Sequence, residues 1–525
     1  MAMRITTKMM QNTSLSNLNT NKALQEKLTT QLSTMKKITR PSDDPVIAIR
    51  SLKLNASLNK IDQYYEKNSE DAESWLELTE SAIKTTNDII TNMRTYVVQA
   101  SNGDLTADDR KSITENLTNL KTEVYSTGNA DSAGRSLFTG YRTDLPLTFN
   151  EDKTERYTIT EQRTNSILDT TTFVRTGDLE SINEGNFTTK STTEYDVGSY
   201  EISRIRLAYA NVDFKDDDTV LNLSYDDGNG NFVTPTALQN SQIYYFESGS
   251  DEAYQQALDD PDCAVYIAET GELLLGENVK AELSALPIDR EIRVTYEKST
   301  WQSGDLDPIH YFYTKRYDET KVNPDGTSPK VLEYNPEKLT DPTSQEAKQI
   351  IEYDIGSNQS IRVNTTADEV FTHDIGRDVD EIVAMLDEYA SIEETYNTVN
   401  AMIKSEKYDG EELETLNKQL DALDKSKTML KSKVQKRCEA LITDFDEHLD
   451  QTVLAKTNVG SRESRLLLIQ NRLSSQQTNY KELVSENEDA DVTELAMQLS
   501  SVELTYEAAL SSISYVMQTS LLDFI

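Results

Sequence analysis

Histidine and cysteine are almost missing from this chain, with three His and two Cys in 525 residues. His310, His373 and His448 lie far apart, and none stands in the HExxH spacing of a zinc protease. Cys263 and Cys438 are in no metal or redox spacing, which argues against a disulfide framework and a structural zinc site. No Walker A sequence and no GxGxxG motif is present. No apolar run approaches the length of a membrane span, so no membrane insertion is expected. After Arg4 and Lys8 the chain reads Met-Met-Gln-Asn-Thr-Ser without an apolar core. The expectation is a protein that stays in the cytosol or leaves by a route that reads no cleavable signal. Basic residues are outnumbered, 52 against 91 acidic, for a net charge of −39. Binding to nucleic acid needs a basic face, so that function class is set aside.

Helical pattern is what the chain has in quantity. Val492, Leu495, Leu499, Val502, Tyr506, Ala509, Ile513 and Val516 recur at alternating steps of three and four, an a/d seam. Leu521, Leu522, Phe524 and Ile525 extend it. Near the other end, Leu18, Leu24, Leu28, Leu32, Met35 and Ile38 also follow helical spacing. These two sets are the candidate subunit interface, and each is the candidate partner of the other. A helix over residues 13–39 stops at Arg40-Pro41-Ser-Asp43-Asp44-Pro45. Proline cannot continue a helix, while Asp44 suits an N-cap and Pro45 the first helical position. Arg40, Pro41, Asp43, Asp44 and Pro45 therefore form a corner between two rods.

From Pro45 to Ala100 a second helix would run roughly 80 Å. Asn102-Gly103 ends it, and Thr106 with Asp109 opens a third with a capping-box pattern. Residues 141–350 change texture, with short alternating stretches such as Tyr157–Thr160, Val220–Tyr225, Ile243–Phe246 and Ile292–Tyr296. Turn signals such as Asp227-Gly228 and Asn323-Pro-Asp-Gly326 separate them, which predicts a β-rich insert of one or two subdomains. Helices return after Asp374. A hairpin over residues 382–433 breaks near Asp409-Gly410, a further helix follows over 434–488, and the polar patch Ser485–Asp491 mirrors the corner. The fold class expected is α+β and multidomain. Nested antiparallel long-helix or coiled-coil rods from both termini enclose the β-rich insert. The expected division is 1–42 with 490–525, 43–150 with 351–489, and 151–350.

Chemistry is sparse. Started at Asp227, the loop Asp226–Asn231 has Asn at the third and fifth calcium positions. Phe232 stands where glycine is needed and Leu238 where a bidentate Glu is needed, so a hairpin turn is expected. Asp216–Asp218 reads as a solvated turn. With 91 acids, no carboxylate pair can be singled out as catalytic. No catalytic residue, cofactor or metal is expected, and the chain is read as no enzyme. Charge is uneven: residues 1–60 hold ten basic and three acidic residues, and 141–350 hold 19 and 40. The basic end is read as a complement to acidic faces of its own kind or of neighbouring subunits.

Four segments near the start carry a family likeness: Met3–Met10, Arg40–Pro45, Asn102–Arg110 and Gly134–Gly140. With Ile351–Gly356, Tyr506–Leu510 and Ser520–Ile525, the set resembles the flagellin superfamily over about the first 150 and last 175 residues. The corner, Asp71–Leu76 and the Leu-Leu-Asp-Phe-Ile ending resemble the superfamily's hook–filament junction branch. The resemblance implies a structural subunit exported unfolded by the flagellum's own type III apparatus, with an export chaperone. It would form a homo-oligomeric helical layer between a hook-associated junction protein and flagellin, outside the cell. The long middle keeps flagellin itself as the alternative. Two others are a subunit whose insert binds a surface glycan or receptor, for which Tyr244–Phe246 would supply stacking rings, and a cytosolic coiled-coil scaffold. The terminal segments are expected to order only on assembly.

Overall fold

The computed structural model describes residues 7–103, 105–214, 221–239, 243–288, 290–318, 321 and 329–522; the side chains of Thr7 and of 516–522 lie outside that description. The chain divides into two compact units. One is drawn from residues 1–72, 353–361 and 464–525, and the other from 73–352 and 362–463.

Ten α-helices are described: α1 Thr7–Thr34, α2 Pro45–Gln63, α3 Glu70–Ala100, α4 Ala107–Thr127, α5 Asp251–Asp259, α6 Glu277–Ser284, α7 Pro336–Thr340, α8 His373–Lys404, α9 Gly410–Glu488 and α10 Val492–Leu522. Local chemistry sets their ends. α1 stops five residues before the expected boundary, because Met35 adopts a left-handed backbone with φ 55°. Asp44 caps α2 by accepting from the Val46 and Ile47 amides at 2.9 and 3.2 Å, with Pro45 in the first turn. A π-helical turn, Tyr64–Ser69, joins α2 to α3 and takes up an extra residue. α4 opens with the expected capping box of Thr106 and Asp109. α8 and α9 are separated near residues 405–409, as expected. The helix beyond that break does not end at 433, however. α9 is one helix of 79 residues, so the second arm of the hairpin and the returning rod are a single element.

Within each unit the rods pair antiparallel. In the larger unit, Lys456 faces Glu80, Thr452 bonds Asn87 at 2.8 Å, and Asp446 pairs with Arg94 at 2.6 Å. The partner number falls as the residue number rises. In the smaller unit, Gln477 donates to Asp62 and Glu66 at 2.9 and 2.7 Å, and Glu488 accepts from Asn55 at 2.6 Å. Val459, Leu466, Ile469 and Leu473 of α9 are buried as their spacing requires, while Leu483 is exposed.

The strands are β1 Asp131–Ser132, β2 Arg135–Ser136, β3 Lys153–Arg163, β4 Leu168–Arg175, β5 Gly198–Arg206, β6 Asn222–Asp226, β7 Phe232–Val233, β8 Ile243–Phe246, β9 Ala264–Ile267, β10 Glu272–Leu275, β11 Ile292–Trp301, β12 Tyr313–Asp318, β13 Lys330–Tyr334, β14 Glu352–Gly356 and β15 Gln359–Arg362. A six-stranded sheet has the order β13-β12-β3-β11-β6-β7, and a five-stranded sheet the order β4-β5-β10-β9-β8. One apolar core joins them. Tyr157, Ile159, Val294 and Tyr296 of the first sheet cluster with Ile205, Ala264, Tyr266 and Leu273 of the second. The opposite face of the five-stranded sheet packs Phe173, Ile202, Val265 and Ile267 against Ala253 and Ala257 of α5. β9 and β10 are therefore buried on both faces, which explains why Ala264–Ile267 and Leu273–Leu275 read as continuous apolar runs.

Three expectations about this region resolve differently or fall outside the description. Tyr244–Phe246 is part of a strand, with Tyr244 and Tyr245 packed against the two cores, so it supplies no exposed stacking loop. Asp227 closes the β6–β7 turn by accepting from the Asn229 amide at 2.7 Å, as a hairpin requires. Asp216–Asp218 and Asn323–Gly326 lie outside the described residues.

Candidate assembly interface

α1 and α10 pack against each other in the smaller unit. On α10, Leu495 is buried and Leu499, Val502, Tyr506 and Ile513 are half-buried, in the expected a/d rhythm. Val492 stands 47 % exposed. The Val516, Leu521 and Leu522 side chains lie outside the described residues, as do Phe524 and Ile525 altogether. On α1, Leu28 is buried and Leu18 and Leu32 are half-buried; Ile38, beyond the helix, is half-buried too. Leu24 and Met35 are 42 % and 61 % exposed and lie off the inner face. The α1 face turned inward is Gln11, Ser14, Leu18, Asn21, Gln25, Leu28 and Leu32, again at steps of three and four. Its alternate positions are polar, and Gln25 reaches Glu503 of α10 at 3.5 Å. Choosing apolar residues alone therefore picked Leu24 and missed Gln25.

The corner is held from both chain directions. The Lys37 amide donates to the Glu488 carbonyl at 2.7 Å and the Ala490 amide to the Met35 carbonyl at 3.0 Å. The Lys36 ammonium pairs with Glu488 at 3.1 Å and Asp489 at 2.8 Å. Asp489, then Glu488, raises the Lys36 pKa, while its hydrogen bond to Lys36 is the first cause that lowers Asp489. The Lys36 and Asp489 side chains are 42 % and 47 % exposed, so that pair fixes register more than it stabilises. Glu488 also accepts from Ser51 of α2. Asp43 accepts from the Arg40 amide at 2.9 Å and the Thr39 amide at 3.2 Å, tightening the turn before Asp44 and Pro45. Arg40, Pro41, Asp43 and Pro45 are exposed and Asp44 is half-buried.

What the pair leaves uncovered is the notable chemistry. Among the described side chains Leu28 is the buried apolar residue of α1 and Leu495 that of α10. Met9, Met10 and Leu15 of α1, Met497, Leu504, Leu510 and Tyr515 of α10, and Val46, Ile49 and Leu52 of α2 are exposed. Val46 is 77 % and Leu52 70 % exposed, and with Ile49 they recur every third residue on one face. That spacing was the signal for a third apolar face, next to the corner, which the reading of the termini passed over. Several adjoining exposed apolar side chains of this kind mark an interaction surface.

Comparison with known proteins adds an independent line. Residues 5–143 match the bacterial flagellin N-terminal helical region. Flagellar hook-associated protein 3 of Salmonella typhimurium is 33 % identical over 143 residues, 27 % of this chain and 45 % of that protein. A flagellin of Clostridium tyrobutyricum is 32 % identical over 116 residues, 22 % of this chain and 30 % of that protein. The chain thus spans less than half the length of these curated relatives it matches. The solved structure of flagellar hook associated protein-3 from Legionella pneumophila is 11 % identical and covers 82 % of this chain and 97 % of its own, a loose superposition with a TM-score of 0.28. Over residues 5–143 the chain is thus similar to the bacterial flagellin N-terminal helical region, and in part of its length it is similar to a flagellar hook-associated protein 3 and to a flagellin.

Proposed function

We propose that this chain is a structural subunit of the bacterial flagellum that joins hook to filament and assembles through its N- and C-terminal helices. One observation carries the reading: α1 and α10 pair with each other yet leave apolar side chains exposed on both helices and on α2. Neighbouring copies would cover them, building a homo-oligomeric helical layer. Residues 1–42 and 490–525 form that inner layer, 43–150 and 351–489 a rod, and 151–350 a variable insert. Leu18, Leu28, Leu32, Leu495, Leu499, Val502, Tyr506 and Ile513 set the pair, and Leu24, Met35 and Val492 face the neighbours. The relatives named above, a flagellar hook-associated protein and a flagellin, support a place in the flagellum; this reading sets the chain beside a second hook-associated protein and flagellin, outside the cell, after export with a chaperone. No catalytic role, nucleic acid or membrane insertion enters this reading.

The test is deletion of the gene. Cells should keep hooks, lose filaments and release intact flagellin into the medium; normal filaments would overturn the reading. The flagellin relative keeps one alternative open, a filament subunit. Sheared filaments would then consist mostly of this chain, whereas a junction subunit would be present in traces.

A further inference from the structure

The larger unit encloses a cavity of about 720 Å³ that the terminal helices do not touch. Its walls are the first turns of α8, one face of α4, the end of β11 and the loops after β5 and β9. That size falls within the range of small-ligand pockets. Most cations on its wall are neutralised. Arg204 pairs with Asp169 and Glu381, Arg206 with Asp378 and Glu381, Lys121 with Asp380, and Lys433 with Glu388.

Two buried cations are not. Arg377 is 8 % exposed, has no carboxylate within ion-pair distance among the described residues, and donates from its Nη2 to the Thr270 carbonyl. Its Nε is buried without a partner. Lys298, 4 % exposed, donates to the neutral carbonyls of Ala210 and Asn211 at 2.7 and 3.0 Å. Burial first holds its ammonium below the ordinary range; Asp305 and Asp213 oppose that, and Arg377 adds to it, so the two cations sense each other. Burial likewise lowers Arg377, with Glu272 and Asp380 opposing, and a buried cation held without a direct ion pair is costly. Of the wall's acids outside an ion pair, Asp152 and Glu269 are exposed and Asp305 is half-buried.

Two more features favour negative charge. His373, the first residue of α8, is buried with its Nε2 unpartnered. Its helix begins without a side-chain cap at Thr372, so the positive end of a 32-residue helix borders the cavity. Trp301 and Tyr209, both buried, border the same wall, with the Lys298 ammonium 5.3 Å from the indole centroid.

We propose that this cavity binds a small oxyanion-bearing ligand, its charged group between Arg377 and Lys298 and its body against Trp301 and Tyr209. The ligand class is a carboxylate or phosphate on a compact polar body.

The test uses the full chain, titrated with inorganic phosphate, glucuronate and uncharged glucose, with thermal unfolding followed by tryptophan fluorescence and binding by calorimetry. Glucuronate, or phosphate alone if no body contact is made, should raise the melting temperature by mass action, and glucose should not. Arg377→Met and Lys298→Met should each weaken that binding by about tenfold or more, from loss of a charge-assisted hydrogen bond. Without ligand each substitution removes a buried cation but also strands a carbonyl, of Thr270 or of Ala210 and Asn211, so some loss of stability is expected in both. Arg377→Lys retains charge and should bind detectably, which separates loss of the site from misfolding. No response of the parent chain to either anion, an equal response to glucose, or unchanged anion binding in both methionine variants would overturn the proposal.

Discussion

Glu381 is a residue whose loss the larger unit should feel strongly. Its carboxylate accepts from Arg204 at 2.5 Å, Arg206 at 2.9 Å, and Arg437 at 3.1 and 2.9 Å. It joins β5, α8 and α9, and its side chain is 10 % exposed. Burial alone would raise its pKa, but Arg204, then Arg437 and Arg206, hold it well below the usual carboxylate range. Glu381→Gln keeps the shape and one acceptor oxygen and removes the charge. The three arginines retain Asp169, Glu272 and Asp378, so the loss at pH 7 is placed at the lower end for a broken buried pair, about 3 kcal/mol. The pH dependence is the sharper test. A depressed carboxylate contributes stability that is present above the unfolded pKa and lost as pH falls through the folded one. With an unfolded value near 4.3, about 1.8 kcal/mol of that contribution should be lost between pH 7 and pH 3. The gap between parent and variant should therefore narrow by about 1.8 kcal/mol over that window. Both tryptophans, Trp75 and Trp301, lie in this unit, so denaturant unfolding followed by tryptophan fluorescence reports it directly. A gap of equal size at pH 3 and pH 7, or none at pH 7, would refute the reasoning.

Three further outcomes are expected. Asp44→Ala removes the two hydrogen bonds that cap α2 and should destabilise the helix start by about 1 kcal/mol, read as faster hydrogen exchange at Val46 and Ile47. Cys263 and Cys438 are buried, and burial pushes both thiols up to about 12. A disulfide reagent should leave them unmodified in the folded chain and titrate both in denaturant, and rapid reaction of either under native conditions would contradict their placement. In verified monomer, amides of α1 and α10 should exchange rapidly. The pair's two buried apolar side chains contribute roughly 1.5–3 kcal/mol each, little against about 1 kcal/mol or more of ordering per residue. Strong protection across Leu18–Thr34 and Leu499–Ile513 would show that the pair is stable alone.

Local signals were legible wherever a short-range mechanism fixed the backbone. Asp44-Pro45 and the Thr106–Asp109 box begin helices as their side-chain chemistry dictates. The alternating stretches at Tyr157, Ile243 and Ile292 fall in strands β3, β8 and β11. Which strands neighbour one another was not legible. β3 pairs with β11 across 129 to 148 residues, and no local pattern specifies such a partner. Met35 ends α1 with a left-handed backbone and no glycine to announce it. The α1 inner face alternates apolar with Asn, Gln and Ser, so hydrophobic spacing alone took in the exposed Leu24 and left Gln25 unseen. The cavity of the larger unit draws its wall from segments remote in sequence, so neither Arg377 nor Lys298 could be singled out beforehand.

The backbone bridge between Lys36 and Asp489 closes a loop over most of the chain. The entropy of closing such a loop grows only as the logarithm of its length, so doubling the enclosed residues would cost about 0.6 kcal/mol more. Residues can thus be added or removed between the two arms with almost no thermodynamic signature at the junction. Variation in the length of the middle should therefore follow the demands on its surface, while the short segments 35–38 and 488–490 keep a constant fit.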